Sequence, residues 1–97
     1  MVELPIIDRT YDLYRDVILL NNGLNKRMRY SLGIELEKDI LYCFKNLVIA
    51  KSAPKPMKAG YLMEVSSLLE VIVLKLRLFL ELKLTNETNI FKIHEEI

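Results

Sequence analysis

Between Leu68 and Leu84 the chain reads LLEVIVLKLRLFLELKL, and no other stretch limits the possible folds as tightly. A membrane span needs about 20 consecutive apolar residues, whereas Glu70, Lys75, Arg77, Glu81 and Lys83 interrupt this one. From Leu74 onward apolar and other residues alternate, as they do on a half-buried strand. Against a strand, the stretch from Leu74 to Leu84 is built of Leu, Lys, Arg and Glu with a single Phe, contains no β-branched residue, and so favours a helix. On a helix, Glu70, Arg77 and Glu81 fall on one polar stripe, with Arg77 and Glu81 spaced to pair, and the rest is apolar nearly all round. Such a helix must be covered on two sides.

The remainder of the chain also reads as helices. Pro5 suits a first helical position, where its missing N–H costs nothing, and Ile7, Tyr11, Tyr14 and Ile18 follow at helical spacing. A first helix is predicted from about Pro5 to Asn21. Asn21, Asn22 and Gly23 form a stop signal, with the glycine free to take the left-handed conformation that closes a helix. Asn25 is then placed to cap a second helix through its side-chain oxygen. That helix carries Leu32, Leu36, Ile40, Cys43, Leu47 and Ala50 as a continuous apolar seam, so RYSLG lies in its first turns. Gly33 costs about 1 kcal/mol there relative to alanine, which predicts close approach of a neighbouring backbone. SAPKP, with Pro54 and Pro56, separates the second helix from the third. Thr85 and Asn86 precede a fourth helical pattern, Ile90, Ile93 and Ile97, predicted to form a short or truncated helix. Together these readings give a single all-α domain over residues 1–97, an up-down four-helix bundle. An apolar content of 52% is high for so small a domain, and predicts burial against further subunits.

Net charge is only +1, yet its distribution is uneven. Residues 25–58 hold eight basic and three acidic side chains, so the positive charge sits on the second helix and its flanking loops. Arg27, Lys38 and Lys45 are spaced by eleven and seven, which keeps them on one face of an uninterrupted helix. Lys26 and Arg29 flank its start, and Lys51, Lys55 and Lys58 its end. Such an array can track phosphates with a steep salt dependence. The plainer alternative is a solvated face with local pairs such as Glu35 with Lys38.

The residue chemistry favours no enzyme. His94 is the only histidine and has no companion at metal-ligand spacing, so it reads as a surface residue. Cys43 lies on the apolar seam, where a buried, unreactive thiol is expected. Glu95 and Glu96 are adjacent and diverge on a helix by about 100°. With three scattered glycines there is no phosphate-cradling loop. No cofactor or metal is expected. The five tyrosines, at positions 11, 14, 30, 42 and 61, read as core-edge residues, with base stacking the alternative. Acidic Glu3 and the break at Asp8 do not make a signal peptide, which points to the cytoplasm.

Three stretches, ELPIIDRTYDLYRD, RYSLGIELEKDILYCF and LKLRLFLELKL, carry a family resemblance. Their most specific parts are Leu4-Pro5-Ile6-Ile7 with Thr10-Tyr11-Asp12-Leu13, the Leu32-Gly33 pair, and Arg77-Leu78 with Glu81-Leu82-Lys83. In these the chain resembles the four-helix-bundle accessory variability determinant proteins of diversity-generating retroelements, and is similar to the bundle proteins encoded in intervening sequences of 23S ribosomal RNA genes. It departs from the first family in having Asn25 where many relatives have proline, and in lacking a Gly-Gly-Trp-Ile-Lys type ending. The resemblance implies a non-catalytic homopentameric ring that binds a reverse transcriptase and nucleic acid, RNA or DNA, and supports mutagenic cDNA synthesis. It carries over directly onto Lys26, Arg27, Arg29 and Arg77, whereas the other lysines of the second helix rest on charge alone. The second family implies a structural or interaction bundle with no reverse-transcriptase partner.

Overall fold

The computed structural model describes residues 4–84, with side chains from Ile6 onward. The predicted fourth helix, with His94, Glu95 and Glu96, lies outside the described residues. Within them the chain is all-helical, without strands, and forms three rods. The first, α1, spans Leu4–Asn22. The second, α2 (26–52), runs as a short α-turn Lys26–Met28, a π-helical stretch Arg29–Gly33 and an α-helix Ile34–Ser52 without a break. The third, α3, is Lys55–Glu81. α2 lies in the middle, and α1 and α3 each pack mainly against it.

Local chemistry accounts for most of the boundaries. Asn25 caps α2 as predicted, its Oδ1 accepting the Met28 N–H at 2.9 Å. At the other end the extended Ala53 and Pro54, followed by Pro56, turn the chain into α3. Gly23 does not close α1 in the left-handed way, since no described glycine has a positive φ. Instead Gly23 N–H donates to Leu20 O and Leu24 N–H to Asn21 O, a tight turn that buries Leu24.

The left-handed residue is Lys83, at φ 59°, and it stops α3 three residues short of Leu84. Leu84 N–H donates to Phe79 O at 2.9 Å and Lys83 N–H to Leu80 O at 3.0 Å, the paired bonds of a Schellman closure. Leu84 then folds back against the core.

One apolar core joins all three helices. Leu13 and Val17 from α1, Leu36, Ile40, Cys43 and Leu47 from α2, and Val65, Ile72, Leu76 and Phe79 from α3 meet there, so the seam predicted on α2 is the one buried. Lys75 of α3 pairs with Asp39 of α2 beside this core, with both side chains mostly covered. Arg77 and Glu81 form no ion pair; both are exposed on α3.

Candidate nucleic-acid and protein interface

The junction of α1 and α2 is the most elaborated polar region of the described residues. Asn21, 1% exposed, ends α1 with its amide aimed at α2. Its Nδ2 donates to Gly33 O at 2.8 Å and to Glu37 Oε2 at 2.7 Å. A Cβ on Gly33 would lie 2.9 Å from Asn21 Oδ1 and 3.0 Å from Asn21 Cγ. Gly33 therefore serves close approach, but of a side chain rather than of the predicted backbone.

Directly before Gly33, α2 widens into a π-turn. Ile34 N–H reaches back five residues to Arg29 O. Ser31 Oγ donates to Arg27 O at 2.8 Å, supplying a side-chain partner to a carbonyl just before the widened stretch. A π-turn holds one residue more than an α-turn, which rotates the residues on its N-terminal side by about 100° relative to those on its C-terminal side. Arg27 is thereby turned away from the face of Lys38 and Lys45, contrary to the expectation for an unbroken helix.

The nine basic residues fall into distinct places. Lys26 and Arg27 are exposed at the start of α2. Arg29 is half-buried and turned inward, one Nη donating at 3.3 Å to both Asn22 O and Leu24 O, so its guanidinium caps the end of α1. Lys38 and Lys45 stand exposed along the middle of α2, while Lys51, Lys55 and Lys58 gather at the α2–α3 turn. Arg77 is exposed on the outer side of α3. From Lys26 to Lys51 the helical rise is about 37 Å, so these residues line a rod and do not converge on one point. Among the described residues the ion pairs use Arg15 and Lys75, and none of the nine is taken up by a carboxylate, Glu35 and Lys38 included.

The tyrosines divide unexpectedly. Tyr14, packed against the core, and Tyr61 are half-buried, but Tyr11, Tyr30 and Tyr42 are 59%, 61% and 59% exposed. Lys45 Nζ lies 5.9 Å from the centre of the Tyr42 ring, within cation–π range. Leu41, Phe44 and Val48 continue this outer side of α2 as a shallow apolar groove of about 600 Å³, edged by Lys38 and Lys45.

On α3, a second apolar stripe faces away from the core. Met63, Val71, Leu74, Leu78 and Leu82 recur at helical spacing and are 37–71% exposed, opposite the buried stripe of Val65, Ile72, Leu76 and Phe79. Both apolar sides expected of this helix from its sequence are present.

Cys43 is fully buried, and its thiol is pushed up to about 12 by burial first, then by the negative charges of Asp39 and Glu64. It is a poor nucleophile in this setting. Among the described residues no group of three or more His, Cys, Asp or Glu side chains is placed to hold a metal ion, and no described helix is long and apolar enough to cross a membrane. Comparison with models of known protein families, with curated proteins and with solved structures finds no match to this chain.

Proposed function

We propose that the chain is a non-catalytic interaction module that assembles with further copies of itself through the outer stripe of α3 and carries nucleic acid or an acidic protein partner on the basic side of α2. The observation that carries this reading is the two-sided apolar character of α3. Among the described residues the row of Met63, Val71, Leu74, Leu78 and Leu82 is left exposed, an apolar surface that costs a chain solubility. Covered by a neighbouring subunit, the same row becomes the core of a repeating interface. The finer form of the proposal follows the family resemblance: a cytoplasmic four-helix bundle in a pentameric ring, serving as the accessory protein of a diversity-generating retroelement, bound to its reverse transcriptase during mutagenic cDNA synthesis.

Unpaired Lys26, Lys38 and Lys45 support the nucleic-acid part, since ammonium groups not engaged by carboxylates are available to phosphates. Tagged protein recovered from its native cells, with and without RNase, followed by mass spectrometry of the proteins that stay bound, tests the role. A co-purifying reverse transcriptase is the expected result. Ribosomal components, or nothing but the protein itself, would replace it with the structural bundle of the ribosomal intervening-sequence type.

A further inference from the structure

The π-turn decides which basic residues of α2 can act together. In an uninterrupted helix Arg27 would share a face with Lys38 and Lys45, and Lys26 would stand about 100° away. The additional residue in Arg29–Gly33 reverses this: Lys26 turns onto the line of Lys38 and Lys45, and Arg27 leaves it. The same rotation brings exposed Tyr30 to within about 60° of that line. Tyr42 already borders it, with Lys45 over its ring. The order along α2 thus becomes Lys26, Tyr30, Lys38, Tyr42, Lys45, spanning about 28 Å.

We infer that these five side chains form one stripe for a single strand of nucleic acid. Ammonium groups spaced along a rod can track a phosphate backbone, and exposed rings between them offer stacking faces to bases. A duplex has no free base faces, so the rings would add nothing to its binding. This rests on the nucleic-acid reading of α2 proposed above, and adds the register, the strandedness and the rings. The end of the turn is packed from outside α2, since Asn21 bonds to Gly33 O and Glu37 and leaves no space at Gly33 for a side chain.

The full chain is titrated against a fluorescein-labelled oligothymidylate and its duplex with oligoadenylate over a salt series. Lys26→Gln is expected to weaken binding and to reduce the slope of log K against log salt by about one, with Arg27→Gln changing neither. Tyr30→Leu is expected to weaken single-strand binding by about fivefold or more at an unchanged slope, and to spare the duplex. Deleting Ser31 removes the additional residue, and the dependence should then pass from Lys26 to Arg27. If that variant does not fold, the point substitutions decide alone. Equal effects of Lys26→Gln and Arg27→Gln would overturn the stripe while leaving nucleic-acid binding intact. Absence of binding by the unsubstituted chain would overturn the nucleic-acid reading as well. A ligand-free check is the coupling across the hydrogen bond from the Ile34 nitrogen: to the Arg29 carbonyl carbon it supports the register, to that of Tyr30 it contradicts it.

Discussion

Asn21 and Gly33, twelve residues apart in sequence, are fitted so closely that the amide of one occupies the space a side chain on the other would need. The Nδ2–O bond of 2.8 Å ties the end of α1 to the π-turn of α2, and the second bond, to Glu37, fixes the amide's orientation.

Alanine should therefore act oppositely at two helical glycines. Gly33→Ala gains about 1 kcal/mol in helix propensity but forces the Asn21 amide aside, an overpacking cost of about 1–3 kcal/mol. A net loss of about 1 kcal/mol in urea unfolding is expected. Gly60, with nothing within 4 Å of an added Cβ, should gain about 0.5–1 kcal/mol on the same change. In the background of Asn21→Ala, Gly33→Ala should lose its penalty, so the two substitutions will not add.

Lys83 closes α3 at a φ of 59° that costs any residue with a Cβ about 1–2 kcal/mol. Lys83→Gly should raise stability by about 1 kcal/mol, because the Schellman bonds remain and the penalty disappears. An unchanged or lower unfolding midpoint would mean that this closure does not form.

Burial of Cys43 makes stability sensitive to alkali. The unfolded thiol loses its proton near its ordinary value of 9.0, while the folded one holds it to about 12. Folded chains thus bind more protons across that window, and stability is full below it and falls as pH rises through it. Cys43→Ala opens a small cavity and should be less stable at neutral pH, but the gap to the unsubstituted protein should shrink between pH 9.0 and about 12, as measured by urea unfolding at each pH.

Arg29 is turned inward and ties the end of α1 to α2. Arg29→Gln removes the donor to Asn22 O and Leu24 O, and should lower stability by about 1 kcal/mol. Lys26→Gln, on an exposed side chain that makes no ion pair, should stay within about 0.5 kcal/mol in the same unfolding measurement.

Much of the fold was legible because it rests on local signals: the Asn25 cap, the α2 seam from Leu36 to Ala50, the SAPKP break, and the two-sided α3 all come from spacing and residue type. The features that escaped have tertiary causes. The period-two run to Leu84 hides the stop at Glu81, since lysine is no marker of a left-handed residue. The π-turn leaves the apolar seam nearly unchanged, and its only trace in the sequence is Ser31 and Gly33 set within a helix. Its end at Gly33 packs against Asn21, on another helix, and the additional residue removes the expected alignment of Arg27 with Lys38 and Lys45. The exposure of Tyr30 and Tyr42 likewise depends on which side of α2 receives α1 and α3, and composition does not carry that information.

The outer stripe of α3 is proposed to be buried between copies of the chain. Sedimentation equilibrium over a concentration series, on the unsubstituted chain and on Leu74→Glu with Leu78→Glu, decides this. The expected mass is a multiple of the 11.4 kDa chain, falling to a single chain in the variant with helical content kept. A mass of 11.4 kDa for the unsubstituted protein at every concentration would contradict it.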